Sequence, residues 1–503
     1  MAHSRDTAAQ SKAEIGIGQA PPRAVNGDNR FALSVTLPDR VYIIGICGRA
    51  TAPLADGLRR AGVVVTGSDT GSFPPMDAYL RDCGLTWNAQ PTADSLPAEA
   101  EVIVCGGGIT PAHPELAAAI DQGREWMSFP SFLDRTFLRQ SRNLVVAGTN
   151  GKTTTTALVA WILESAGLAP DYLIGGLARN FSQAARFHGA PITVLEGDEY
   201  WSGPGDVRPK FLHYRAHVAL VTGLQPDHPE VYPDLRSYQF PFKHLVDLLP
   251  STGRLLLNAD DPGVDILMSR SRAPVGTIGF SARATHRITS WRRLAAGSEF
   301  SLDGHPYQVP LWGRMNARNA AMAVVAARAV GVSAAMAARA LMTFAGVAGR
   351  QQVLMDPAEN ARRIKLILDE AYHPQSLAAL LEAVRAHHPR RRLVLVLRPR
   401  GGGFAPGHFE RELPHALAGA DLVLLADLPA SLRILAFNQR RVAAALRRSG
   451  VEVVTAPELS DFIPRLGSLL RRGDVVVTSV FHLDHAFPDA LKNAIRALPA
   501  AAR

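Results

Sequence analysis

Seven consecutive residues, Gly148-Thr149-Asn150-Gly151-Lys152-Thr153-Thr154, have the composition needed to hold a run of phosphates. The glycines permit a tight turn, and successive backbone N–H groups form an anion nest where a helix opens directly behind them. Lys152 can reach the outer phosphates, and Thr153 can set its hydroxyl on Mg²⁺. The spacing G-x-x-G-K-T is shorter than the usual G-x-x-x-x-G-K-[ST]. An apolar strand signal at 143–147 precedes it, however, and a helical stretch follows. Such a loop predicts binding of a nucleoside triphosphate, with a fortuitous glycine turn as the alternative; it does not say what is done with the phosphate.

Groups that hold the metal should stand at the ends of later strands. Two places qualify. The apolar run 192–195 leads into Glu196-Gly197-Asp198-Glu199-Tyr200, and the run 218–221 is followed by Asp227-His228. Glu196 and His228, at the carboxyl ends of neighbouring parallel strands, would face the crevice of the phosphate loop. The ion expected is Mg²⁺ or Mn²⁺, held largely by oxygen, with His228 the exception. Cys47, Cys83 and Cys105 form no Cys-x-x-Cys and have no clustered histidines beside them, which offers zinc nothing and suits a reducing compartment.

These loops need strands to carry them. A chain of 503 residues suggests about three domains. Strand signals alternate with helical ones throughout, so the fold class is α/β with parallel sheets covered on both faces. The expected order is a disordered tail over 1–39, then a first unit over 40–140 with strands at 41–44, 63–66 and 101–105. A central unit covers 141–349, with β-like runs and many turns over 265–310 and alanine-rich helices over 317–342. A third unit covers 350–503, with strands at 363–368, 393–397, 422–425 and 475–478.

A content of 47% apolar and 20% charged residues excludes wholesale disorder. The net charge of +9 comes from scattered arginine, with no basic run long enough for a nucleic-acid arm. Attraction to phosphorylated small molecules explains the sign, and no nucleic-acid partner is expected. No apolar run reaches the ~18 residues of a membrane span, and the start has no signal-peptide core. A cytoplasmic protein, monomeric or a weak homo-oligomer, is expected.

Beyond the loop GTNGKTTTT at 148–156, the chain carries GICG at 45–48, VTGSD at 65–69, FPPM at 73–76, EGDEY at 196–200, KFLHYR at 210–215 and DH at 227–228. With these it resembles the Mur ligases, the ATP-dependent amide-bond-forming enzymes of peptidoglycan synthesis. FPPM and KFLHYR are similar to the murein peptide ligase branch, which serves cell-wall recycling. The resemblance implies an N-terminal Rossmann-like domain for a UDP-sugar, a central P-loop ATPase domain, and a C-terminal Rossmann-like domain for the amine. It implies an ADP-forming ligase that phosphorylates a carboxylate and lets an amine attack the acyl phosphate. The acid would be UDP-N-acetylmuramate or a similar carboxylate, and the amine an amino acid or peptide.

The resemblance also assigns residues. Gly45 and Gly48 would let the backbone approach the uridine nucleotide, although a dinucleotide fold shares that turn, and Asp69 would accept from the uridine or ribose. Asn316 and Asn319, three apart at a helix start, suit an adenine edge. Asp369 falls to the nucleotide, His373 and Arg400 to the substrates. Lys243, fifteen residues beyond His228, matches the lysine that many Mur ligases carbamylate to bridge the metals. A solvated helix lysine is the alternative.

Several positions depart from the pattern: Met315 and Tyr372 where histidine is expected, Thr222-Gly223 for an asparagine pair, and Gln225 for glutamate. A short stretch, 201–209, replaces a longer one, and Gly401-Gly402-Gly403 and 478–482 replace serine-asparagine turns. These leave two alternatives to the recycling substrates: a relative acting on a different acid or amine in specialised metabolism, or a nucleotide-binding scaffold that no longer ligates.

Overall fold

In the computed structural model, which describes residues 37–71, 75–399, 411–428, 437–480 and 484–500, the apolar runs become three sheets. The first has four parallel strands in the order Val64–Ser68, Arg40–Ile44, Val102–Cys105, Trp126–Ser128. Its two central strands, Arg40–Ile44 and Val102–Cys105, carry continuous buried apolar runs, Val41–Ile44 and Val102–Cys105, because both faces of the sheet are covered. The tail expected over 1–39 lies outside the described residues up to position 36, as does Arg400.

The central sheet has ten strands. Its parallel heart places the strand before the phosphate loop, Arg142–Ala147, between Ile192–Glu196 on one side and Ala216–Val221 on the other. The two strands expected to be neighbours therefore flank the phosphate-loop strand instead of touching each other. The turn-rich stretch forms an antiparallel extension, His286–Leu294, Gly297–Leu302 and His305–Val309. Alanine-rich helices Gly313–Arg328 and Ala334–Met342 pack behind it.

The third sheet runs Gln352–Met355, Lys365–Leu368, Val475–Ser479, Leu393–Leu397, Leu422–Ala426, Glu452–Ala456, parallel except for the first pair. Its two faces have separate buried clusters, one around Leu395 and Val477, the other around Val396 and Val476. The first and central sheets differ: Val41, Ile43 and Leu54 belong to the same buried cluster as Val145, Leu195, Phe211 and Tyr238. Phe137 stacks on Phe187 across that junction, with ring centroids 4.7 Å apart.

Candidate functional site

The carboxyl ends of the central strands open into a cavity of about 340 Å³ where all three domains meet. Its floor is the phosphate loop. Gly148 (φ +119°) and Gly151 (φ +86°) take conformations that L side chains rarely adopt, and they leave no room for one. A Cβ on Gly148 would lie 2.7 Å from the carbonyl oxygen of Gly223, and one on Gly151 would lie 2.7 Å from Oδ1 of Asn319. Helix Lys152–Ser165 starts directly behind, so its free N–H groups point into the cavity.

Lys152 is the pivot of the floor. Its Nζ donates to the carbonyl of Gly148 at 2.6 Å and to Oε1 of Glu199 at 2.9 Å. Burial alone would push this ammonium down; the charge and hydrogen bond of Glu199, together with the charges of Glu196 and Asp198, outweigh that and carry it above the ordinary lysine range. Thr153 donates to Oε1 of Glu196 at 2.9 Å, and the other Glu196 oxygen accepts from the N–H of Gly175 at 2.8 Å. Burial raises the Glu196 carboxyl, with Lys152 opposing.

His228 sits in a left-handed conformation (φ +53°), which turns its ring back over the site. Its Nε2 lies 3.2 Å from Glu199 and 3.5 Å from Asp227, and the Tyr200 ring packs on it at 4.3 Å. Burial lowers the imidazole, but hydrogen bonds to Glu199 and Glu230 and the charge of Asp227 carry it up to about 9. Glu199, Asp227 and His228 offer ligand atoms within 4.8 Å of one another, all from buried residues. Two carboxylates and one imidazole suit Mg²⁺ or Mn²⁺ and lack the thiolates of a structural zinc site.

The expected ligand set thus divides. Thr153 pairs with Glu196, while His228 clusters with Glu199 and Asp227; Thr153, Glu196, Glu199 and His228 line the cavity, and Asp227 stands behind His228. Lys243 stands half-buried on helix Leu235–Asp247 and is not among the residues lining the cavity. Phe242 beside it is in the core, but Phe240, on its other side, is 59% exposed. The same helix sends Tyr238 to the site, with its hydroxyl 3.1 Å from Oγ1 of Thr149. Gln225 turns away and donates to Asp261 at 2.8 Å.

Asn316 and Asn319 line the cavity and hydrogen-bond each other at 3.2 Å. Asp369 lines it too, with both oxygens accepting backbone N–H groups of Gln351 and Ala371; burial raises its carboxyl. His373 caps helix Pro374–His387, its Nδ1 accepting from Gln375 N, and sets Nε2 3.3 Å from the carbonyl of Pro226. Gly45, Gly48 and Asp69 lie at the carboxyl end of the first sheet and are not among the residues lining the cavity. There Asp69 Oδ2 accepts from Cys47 N at 3.0 Å, so this carboxylate holds the glycine turn.

Residues not singled out in the sequence complete the site. Glu199 could have been found, three places after Glu196 in the same acidic strand end. Lys210 pairs with Asp198 at 2.5 Å; burial would raise that carboxyl, yet Lys210 holds it well below the carboxylate range. Glu370 of the third domain takes Arg49 of the first at 2.9 Å and Arg350 at 3.0 Å. Against burial, the two guanidiniums bring it down to about 2. The stretch 201–209 forms a hairpin of Trp201–Gly203 and Asp206–Pro209, and Gly203 packs on Ser128 at the end of the first sheet.

Three family models match in sequence: the Mur ligase family catalytic domain over 40–140, the Mur ligase middle domain over 146–327, and the Mur ligase glutamate ligase domain over 349–479. The chain is 33% identical over 396 residues to the UDP-N-acetylmuramate–L-alanyl-γ-D-glutamyl-meso-2,6-diaminoheptandioate ligase of Escherichia coli (strain K12), covering 77% of this chain and 84% of that one. It is 32% identical to the UDP-N-acetylmuramate–L-alanine ligase of Halorhodospira halophila (strain DSM 244 / SL1), over 87% and 90% of the two chains. A crystal structure of a murein peptide ligase from Psychrobacter arcticus 273-4 superposes with a TM-score of 0.68 at 25% identity, covering 91% of this chain and 99% of that one.

Proposed function

The chain belongs to the Mur ligase family of ATP-dependent amide-bond-forming ligases, and from that premise we propose that it joins an amino acid or peptide to UDP-N-acetylmuramate or a closely similar acid. The observation that carries this reading is the placement of Lys152, Glu196, Glu199 and His228 around one cavity that all three domains line. The first domain, over 40–140, would hold the sugar nucleotide against Gly45, Gly48 and Asp69. The central domain, over 141–349, would hold ATP on residues 148–154, with Asn316 and Asn319 at the adenine and Asp369 above. The domain over 350–503 would bring the amine past His373 and Arg400.

In the first step a carboxylate oxygen of the acid attacks the γ-phosphorus, and the bond to ADP breaks. In the second the amine attacks the acyl carbon, phosphate leaves with the electron pair, and the amine gives up a proton. Lys152 supplies a fixed positive charge where the transferring oxygens gather negative charge. Thr153, Glu196 and His228, with Glu199 and Asp227 beside them, would hold Mg²⁺ or Mn²⁺, which neutralises the phosphates when bound. Closure of the third domain excludes water from the acyl phosphate. Lys243, as a carbamate, would add an anion beside this group. No helix of the described residues is long and apolar enough to cross a membrane, in keeping with a cytoplasmic enzyme.

The hairpin at 201–209 favours a second reading, in which the acid differs from UDP-N-acetylmuramate, because it rests on the end of the first sheet where that acid would lie. Both readings are tested by phosphate release from ATP, with UDP-N-acetylmuramate and other carboxylates crossed against amino acids and peptides. Release that needs both an acid and an amine supports ligation, and the productive acid selects between the readings. ATP turnover indifferent to every amine would oppose both.

A further inference from the structure

The third domain reaches the central one through the loop after strand Lys365–Leu368. There Tyr372 donates its hydroxyl hydrogen to Oδ2 of Asp227 at 2.6 Å. The next residue, His373, faces the carbonyl of Pro226. Asp227 is buried; its Oδ1 accepts from the N–H of His228 at 2.9 Å, and its Oδ2 lies 3.5 Å from His228 Nε2. One carboxylate oxygen is therefore shared between a residue of the third domain and the imidazole of the cation-binding cluster.

We propose that Tyr372 is a positioning residue that ties the seating of the third domain to the Glu199–Asp227–His228 cluster, so that the domain carrying the amine is held down while Asp227 faces His228. The inference rests on the ligase reading above. A phenol offers one donor at the end of a rigid ring, and a hydrogen bond to a buried carboxylate is among the stronger kinds. Histidine, expected at this position, has a shorter reach; tyrosine extends the contact across the domain boundary. A second tie, from Ser376 Oγ to Asn150 Oδ1 at 2.5 Å, fixes the same domain to the phosphate loop. The domain therefore rests on the nucleotide loop and the cluster, beside the Arg49–Glu370 ion pair, and loss of the Tyr372 hydroxyl removes one tie on the cluster side while His373 still faces Pro226.

The test uses the full-length Tyr372→Phe protein. The expected result is a rise of about tenfold in KM for the amine, equivalent to ~1.4 kcal/mol. KM for ATP and the melting temperature should stay near wild type. Small-angle scattering with Mn²⁺ and a non-hydrolysable ATP analogue should show a more expanded particle than wild type. In an Asp227→Ala background, the Phe substitution should add no further expansion. An unchanged amine KM with an unchanged scattering profile overturns the proposal. So does an equal expansion in the Asp227→Ala background, since the hydroxyl would then act elsewhere. If the wild type releases no phosphate in response to any amine, the ligase reading fails, and the scattering arms still decide the role of Tyr372.

Discussion

The phosphate-loop lysine Lys152 lies 2.9 Å from Glu199, and that same carboxylate stands 3.2 Å from Nε2 of His228. One acidic group thus connects the lysine of the phosphate loop with the imidazole of the Glu199–Asp227–His228 group. Lys152→Ala removes the positive charge that the proposed mechanism sets against the transferring phosphoryl group and leaves Glu199 without that partner. Phosphate release should fall by about a thousandfold or more while the far-ultraviolet spectrum is unchanged. Turnover within tenfold of wild type would remove Lys152 from the chemistry.

Gly151→Ala should be costly for two independent reasons. Its φ of +86° strains any L side chain, and the new methyl would meet the Asn319 amide at 2.7 Å. Together these predict about 1–3 kcal/mol of lost stability and weakened ATP binding. Adding Asn319→Ala removes the steric part but leaves the backbone strain, so melting should recover only in part. Full recovery in the double variant would show that the conformation carries no strain.

The imidazole of His228 sits at about 9 because Glu199, Glu230 and Asp227 outweigh its burial. A cation ligated by this ring must displace its proton, so apparent Mn²⁺ affinity should climb about tenfold per pH unit from 7 towards 9 and then level off. The folded value lies above the unfolded one of about 6.5. The stabilisation is therefore complete below about 6.5 and is lost as pH rises through about 9. Metal-free protein should lose melting temperature over that window, and loaded protein should lose less. A flat Mn²⁺ affinity from pH 6.5 to 9.5 would contradict the assignment of His228 as a ligand.

If Lys243 acts as a carbamate, Lys243→Ala should lose most activity, and stripping CO₂ from wild type should do the same until bicarbonate is restored. Short carboxylic acids should partly rescue the variant. Near-normal turnover of Lys243→Ala would leave this residue as a helix lysine outside the cavity lining.

The sequence carried the strands and the loop well, and for a local reason. Runs such as 143–147 and 192–196 are apolar because both faces of a parallel sheet are buried, and the glycines at 148 and 151 mark the turn between strand and helix. Side-chain partners across domains left no such mark. Tyr372 and Asp227 are 145 residues apart, and no periodicity encodes their meeting. Gln225 stood in a suspicious place by spacing, yet its side chain follows Asp261 away from the cluster. The antiparallel strands over 286–309 were blurred because one face of that extension meets solvent, which leaves short alternating runs among turns.

The buried cluster running from Val41 and Leu54 to Val145 and Tyr238 makes the first two sheets one body for heat as well as for packing. Calorimetry should resolve two cooperative units in this chain, not three, with the third domain melting on its own interior. The same feature governs where the chain tolerates division. A cut between Val347 and Gln352 parts two pieces that each keep a closed core. A cut near residue 140 would bare apolar surface on both halves, so the first domain is not a transferable part.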